Sequence, residues 1–351
     1  MEPLCISREI RRFDAAIGTG GVGYGMFFAI NGMQTLGREE SRSGRIQDRR
    51  DYCKLHIVSH YVKTLLGNDF EVIPIGRVGK DDAGEMLIRE MEEAGLQLDY
   101  MKTCSEAQTL FSFCFNYPDG SGGNLSTDNS ASSKLTPQDV TEALPQFKLY
   151  GRRGVGIALP EVPLDARATL LELAAENGLY RIASFTSSEM DEVKQRELFR
   201  SIDHLAVNVD EASMLVGKSV KETSYEKTVG AAVEVLAKIN KRLTLSVTAG
   251  RDGSWVWDTE MLHHLPVPDV EVVSTAGAGD AFMAGLVAGI TAGLKLPEAH
   301  QLATLVAALS VTSPHTISKE VDRKTLAQLI DKTSFSVGNN LRKLLSPPIE
   351  C

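Results

Sequence analysis

Residues 272–290 read VVSTAGAGDAFMAGLVAGI. Gly277, Ala278 and Gly279, with almost no side chain between them, precede Asp280, and a run of small and apolar residues follows. The pattern predicts a strand that turns sharply into a helix, with Asp280 in the first helical turn. Without bulky side chains the backbone folds tightly there, and successive N–H groups can converge on an anion at the helix N-terminus. A carboxylate in that place repels the anion unless the chemistry uses it. Phosphoryl transfer to a hydroxyl does use it: the N–H groups stabilise charge on the migrating group and the carboxylate takes the hydroxyl proton. An aspartate in a first turn is also an ordinary helix cap, so spacing alone leaves both readings open. The stripe Ala281, Ala284, Gly285, Ala288, Gly289 favours the first, since small residues at helical spacing would let the helix press on a sheet and fix the loop.

Upstream, from about residue 150, short apolar runs (GVGIAL, YRIASF, HLAVNV, LTLSVTAG) alternate with helical patterns (LDARATLLELAAENG, EMDEVKQRELFRSI, EKTVGAAVEVLAKIN). That alternation predicts βαβ units and a mostly parallel sheet covered on both faces, a three-layer α/β/α sandwich. The first third is more mixed. It holds strands FDAAIG and FEVIPIG, helices KLHIVSHYVKTLLG and AGEMLIREMEEAG with Gly95 as the stop, and a polar arginine-rich stretch from 38 to 54. Phe111, Phe113, Phe115 and Tyr117 alternate with smaller or more polar residues before the turn signal PDGSGG, so segments of about 20–50 and 108–128 are expected to form a small antiparallel β flap. The whole of 1–351 is read as one domain carrying that flap. The tail NNLRKLLSPPIEC is expected to be loosely held.

Composition narrows the class. The chain has 351 residues, 43% hydrophobic and 24% charged, a globular balance. Its net charge of -9 argues against a nucleic-acid partner, for which many phosphates must be neutralised. Five cysteines without a paired C-x-x-C spacing indicate neither a disulfide framework nor a zinc site, and with no signal-peptide core or membrane-length apolar run they point to the cytoplasm and no membrane partner. His56 and His60, with Cys53 nearby, are not read as a metal site.

The segment STAGAGDAFMAGL resembles the signature of the ribokinase-like, or PfkB-type, carbohydrate kinases, usually D-T-x-G-A-G-D-x-F-x-A-G. Further resemblances follow in family order: IGRVGKDDAGEMLIREMEEAGL (75–96) to the G-x-V-G-x-D-x-x-G stretch and its helix; LAVNVDEASMLVG to the N-x-x-E element; SVTAGRDGSWVW to the T-x-G-x-x-G strand and loop; and VAALSVTSPHT to the late helix beside adenine. The likeness covers about 70–325 well and the first 70 residues poorly. It implies a ribokinase-like fold and an ATP- and Mg2+-dependent kinase acting on a hydroxyl of a sugar, sugar derivative or nucleoside. Asp280 would be the base and the N–H groups of Gly277, Ala278 and Gly279 the anion hole. Asn208 and Glu211 would help to place magnesium and phosphates, Glu211 touching the metal only indirectly. Thr248, Gly250, Gly253 and Thr304 would complete the nucleotide site. The aromatic alternation from 111 to 117 reads instead as flap packing or as a homodimer surface. No G-x-x-x-x-G-K-[ST] element suggests a P-loop instead.

Departures cluster on the acceptor side. The carboxylate that follows the family's first strand falls on Gly23, and the Gly-Gly and asparagine segment is not legible in QDRRDYCKLHIVSHY. Ala131 and Ser132 stand where Ala-Asn is usual. Ser274 replaces the aspartate that opens the signature, which speaks against potassium dependence. Gly20, Gly21, Gly23 and Ser132 are therefore the acceptor-side candidates, and Arg42, Arg45, Arg49 and Arg50 would suit an anionic acceptor. The lost carboxylate keeps an alternative open, a non-catalytic nucleotide-binding protein on the same fold, although such a protein has no use for Asp280. The spacing G-x-G-x-x-G at Gly18, Gly20 and Gly23 raises an NAD-binding reading. It lacks the second strand and acidic residue that a dinucleotide loop needs.

Overall fold

The computed structural model describes residues 1–7, 9–32, 34–118, 122–217 and 224–347, without the side chains of 48–50. Thirteen strands lie among them. The first, β1 (Ala15–Thr19), is buried along its whole length. After it the chain leaves through β2 (Gly23–Ile30) and β3 (Gly44–Tyr52), returns by α1 (Lys54–Leu66) to β4 (Glu71–Gly79), and continues through α2 (Asp82–Glu93) and β5 (Met101–Cys104). A second excursion, β6 (Leu110–Asn116) and β7 (Gly122–Ser126), leads through α3 (Pro137–Glu142) and α4 (Leu144–Tyr150) to β8 (Gly154–Ala158).

Then come α5 (Leu164–Asn177), β9 (Tyr180–Ala183), α6 (Met190–Gln195), β10 (His204–Asn208), α7 (Val209–Val216), α8 (Tyr225–Ile239) and β11 (Thr244–Thr248). β12 (Ser254–Trp257), β13 (Leu262–Leu265), α9 (Ala278–Thr291), α10 (Leu296–Ser310), α11 (Arg323–Thr333) and α12 (Asn339–Leu345) complete the order.

Nine strands make one sheet in the order β13-β12-β11-β10-β9-β8-β1-β4-β5, parallel except at the β11-β12-β13 edge. Both faces are covered, as parallel strands require. Alternation along β1 shows the division: Ala16 packs into the layer that includes α1, α9 and α10, and Ile17 into the layer that includes α5, α7 and α8. The expected three-layer sandwich is present.

The remaining strands form the flap, in the order β3-β2-β6-β7. It is mixed rather than antiparallel, because β2 and β6 come from separate excursions that leave the same end of the sheet and so run parallel. The Asp51 carboxylate crosses from β3 to accept from Ser112 Oγ and Cys114 Sγ of β6, both at 3.0 Å. It spans β2 at Gly25, where an added Cβ would stand 3.0 Å from that carboxylate and 2.4 Å from the Ser112 carbonyl. The PDGSGG turn falls partly outside the described residues.

Three other readings change. EMDEVKQRELFRSI is broken into the short α6 and a 3-10 turn at Leu198–Ser201, because Glu197 between them takes a left-handed φ of 54°. Residues 339–345 are helical, with Leu341, Leu344 and Leu345 buried, while 348–351 lie outside the described residues. The small-residue stripe of α9 meets a helix, not the sheet: a Cβ on Gly285 or Gly289 would come within 2.8 Å of the α10 backbone at Ala303 and Ala299. Two glycines thus set the spacing that carries α9, and with it the 277–280 turn.

Candidate active site

The C-terminal ends of β1, β8, β10 and β11 and the N-termini of α1, α7 and α9 meet at one place, where ligands bind in open α/β sheets. Asp280 is the third residue of α9. Residues 266–277 before it form a loop, so the expected strand is absent there. Gly277 makes the turn as the helix N-cap with φ 74°, a conformation open mainly to glycine. Ala278 donates its N–H to the Thr275 carbonyl at 3.3 Å, whereas the N–H groups of Gly277 and Gly279 have no acceptor among the described residues. Those two donors, more than the third, are available to an anion.

The Asp280 side chain is 15% exposed, and its Oδ1 stands 3.5 Å from Lys54 Nζ. Burial pushes its pKa above the ordinary aspartate value and the Lys54 charge opposes that push. Lys54 is the first residue of α1, where the helix dipole disfavours a cation. Asp280, and next Glu161, supply the compensating charge and raise the ammonium pKa. Glu161 follows β8 with a left-handed φ of 74° and accepts the Lys54 backbone N–H at 3.2 Å. Burial raises its carboxyl to about 7 against the pull of Lys54. Strain and an elevated carboxyl in one residue make Glu161 a candidate functional position.

Asn208 caps α7 by accepting from Glu211 N at 2.8 Å, and Glu211 Oε2 accepts the Asn208 N–H at 2.8 Å. The two are therefore a capping box. Glu211 also borders a small recess shared with Lys54, Asn208 and Asp280, and burial raises it to about 7. Three carboxylates thus surround one ammonium. That surplus of negative charge suits a divalent cation, yet no group of three or more His, Cys, Asp or Glu among the described residues could hold one unaided. Magnesium commonly arrives with one or two carboxylates and nucleotide phosphates as its ligands, which fits this arrangement.

These raised carboxyls carry a stability signature. A group whose folded pKa lies above its unfolded value stabilises the fold while protonated, and that contribution is lost as pH rises through the folded value. Buried His56, His60, His204 and His300, held neutral, add the opposite slope below about pH 6.5, so the signature is read as a difference. In buffer free of metal and nucleotide, the Tm of Glu211→Gln relative to wild type is expected to rise between about pH 5 and about pH 8. A difference that stays flat or falls over this range would contradict the assignment.

A cavity of about 740 Å³ gathers Asp280, Gly277, Ala278, Gly279, Asn208, Thr248, Gly250, Gly253 and Thr304. The acceptor-side candidates fare differently. Ser132 is fully buried, with its hydroxyl 3.3 Å from the Val22 N–H, the Val22 carbonyl and the Arg77 carbonyl, a strap between segments rather than a cavity group. Gly20, Gly21 and Gly23 also stand outside the cavity lining. Their added Cβ atoms would lie 2.7 Å from Leu159 Cβ, 2.4 Å from Glu161 Cβ and 2.3 Å from the Leu110 carbonyl. The glycines let β1 pass into β2 in contact with β8 and β6, and no helix follows them, so the NAD reading fails. Arg42 pairs with Glu40 inside the flap and Arg45 is exposed. The side chains of Arg49 and Arg50 are outside the description.

Lys54 and Glu161 were missed by sequence reading. For Lys54 a signal existed, a lysine opening a helix at the end its dipole disfavours. For Glu161, in ALPEVPL, there was none.

A family model described as pfkB family carbohydrate kinase matches residues 58–323. Ribokinase of Arabidopsis thaliana is 24% identical over 260 residues, covering 73% of this chain and 66% of that enzyme. Adenosine kinase of Saccharomyces cerevisiae is 27% identical over 253 residues, 69% and 72% of the two chains. The fold is shared with a ribokinase of Cryptococcus neoformans solved with ADP, at a TM-score of 0.74, 19% identity and coverage of 91% and 99%.

Proposed function

The chain belongs to the pfkB family of carbohydrate kinases, and from that premise we propose that it moves the γ-phosphoryl group of ATP to a hydroxyl of a sugar, sugar derivative or nucleoside. The observation that carries the proposal is the pairing of a buried, elevated carboxylate, Asp280, with the unoccupied N–H donors of Gly277 and Gly279 at one helix N-terminus.

In this reading the triphosphate lies along Gly277–Gly279, with Thr248 and Gly250 beside its phosphates. The acceptor enters on the Lys54 and Glu161 side, beneath the flap. Its hydroxyl gives its proton to Asp280 as the oxygen bonds to the γ-phosphorus, the bond to the bridging oxygen breaks, and ADP leaves with that electron pair. Lys54 holds Asp280 ionised until the acceptor arrives. Magnesium supplies charge neutralisation at the phosphates, and Glu211, presented by its bond to Asn208, would reach it through water. Ser274 offers no carboxylate to a monovalent cation. Glu161 and Asp280 make an acceptor carboxylate or phosphate unwelcome, so a neutral polyol or nucleoside fits better than an anionic sugar.

ADP release with ATP and Mg2+ across neutral sugars, nucleosides, sugar acids and phosphosugars tests this. Stimulation by a neutral acceptor is expected. ATP that protects the fold while no acceptor stimulates release would leave the site a binding site only.

A further inference from the structure

We propose that Asp51, on the inward face of the flap, grips a hydroxyl at the end of the acceptor remote from the one that is phosphorylated. This rests on the kinase reading above.

The two faces of the flap differ in kind. The β2–β6 register sets Gly25 beside Ser112 and Phe27 beside Cys114 on one face, and Tyr24 beside Phe111 on the other. That second face is aromatic: Tyr24 meets Phe111 and Phe28 meets Phe113, at ring separations of 5.2 and 5.6 Å. The first carries Asp51, Ser112 and Cys114, joined through Asp51 Oδ2. Its row ends at Asn116, whose buried Oδ1 has no hydrogen-bond partner among the described residues.

Burial follows the polar side. Ser112 and Asp51 are 2% and 5% exposed, whereas Phe111 and Phe113 on either side of Ser112 remain partly exposed. Removing apolar surface from water is what stabilises a fold, so a flap shaped for stability alone would turn its phenylalanines inward. Places where a sequence breaks that rule are expected to be functional. A second copy packed on the rings would account for their exposure and would leave the covered carboxylate unexplained.

The polar face leads back to the reacting group. Leu55 donates its N–H to the Gly21 carbonyl at 3.1 Å and Cys53 donates to the Gly23 carbonyl at 3.2 Å, as along a strand, so residues 21, 23 and 25 share one side. Cβ atoms added to these three glycines would meet Glu161, Cys53 and Asp51 in turn. Glu161 accepts the Lys54 backbone N–H, and Lys54 Nζ stands beside Asp280. Burial raises the Glu161 carboxyl against Lys54, and the charges of Asp280 and Asp51 both add to the rise, so Glu161 is within electrostatic reach of each.

An acceptor whose reacting hydroxyl lies at Asp280 therefore passes Glu161 and brings its far end to Asp51. Ser112 and Cys114 both donate to Oδ2 and fix the direction of the carboxylate. An ionised carboxylate accepts hydrogen bonds and donates none. The far end must then offer O–H or N–H donors, as a polyol or a nucleoside does.

The test takes D-ribose, D-fructose and adenosine as first probes, keeps the one that most stimulates ADP release, and adds analogues lacking one of its hydroxyls at a time. Asp51→Asn preserves the size of the side chain and turns one accepting oxygen into a donor. The acceptor KM should rise about 10- to 100-fold, the worth of a hydrogen bond to a charged group, while ATP and Mg2+ still protect the fold. One remote hydroxyl should account for the change. With the analogue lacking it, wild type and Asp51→Asn should agree in KM within about threefold, as a double-mutant cycle requires.

An unaltered KM overturns the inference and leaves the kinase intact. So does a KM raised equally for every analogue, which is what a merely loosened flap would produce. No response of wild type to any acceptor overturns both readings. If Asp51→Asn does not fold, Asp51→Ser, smaller than aspartate, carries the same comparison.

Discussion

Asp280→Asn is expected to lower kcat by about 10²- to 10⁴-fold, the range that a positioned general base contributes. The substitution keeps the shape of the side chain and removes its basicity. It also takes a charge away from the Lys54 ammonium 3.5 Å distant, which Glu161 continues to neutralise. Protection by ATP and Mg2+ in a thermal-shift assay should survive, because the N–H donors of Gly277 and Gly279 are unchanged. Burial raises the Asp280 pKa and Lys54 lowers it, so the acid limb of the kcat/KM profile is expected above the ordinary aspartate range. Lys54→Met should move that limb further toward alkaline pH. If Asp280→Asn retained more than about a tenth of wild-type kcat, Asp280 would be excluded as the base.

Gly277→Ala is expected to cost about 10²- to 10³-fold in kcat, comparable with removing an oxyanion-hole donor. At φ 74° a Cβ is strained, and it would meet the Thr316 carbonyl at 3.0 Å. Relief requires the turn to rotate, which carries its N–H out of line with the phosphoryl group. Gly279→Ala makes the contrast: nothing in the protein lies within 4 Å of its added Cβ. That variant should keep its Tm, and any loss of activity reports the bound phosphates as its neighbour. Equal kcat for Gly277→Ala and wild type would mean that the turn does not hold the reacting group.

Much of this was legible in the amino-acid order alone. The alternation of short apolar runs with helical patterns pointed to the parallel sheet, because a strand buried on both faces cannot alternate, and β8, β9, β10 and β11 lie where those runs predicted. The GAGD turn was legible because glycine, a small residue and a first-turn aspartate each have a local cause. What was not legible depended on distant parts of the chain. Ser132 occupies a binding position in the family pattern, yet here it is buried between Val22 and Arg77, a meeting of segments that no local window contains. The flap was expected to be antiparallel because its strands look like hairpins locally, whereas the parallel β2–β6 pair follows from two separate excursions that leave the same end of the sheet. The glycines at 18–25 kept their purpose hidden for the same reason, since their neighbours are Leu110, Leu159 and Glu161.

That β2–β6 pair has a consequence for the order of assembly. Gly23 pairs with Leu110 and Ala29 with Asn116, partners far apart in the chain. Loop closure over such a span is entropically unfavourable until β1 and β4 have aligned the two points of departure. The flap is therefore expected to form after β1 and β4 have paired, and hydrogen exchange should find its backbone amides among the first to open. A chain part-way through folding would then already possess the 277–280 turn while the flap above it was still open. On the proposed reading, the groups that would transfer a phosphoryl group are in place before those that would enclose its recipient.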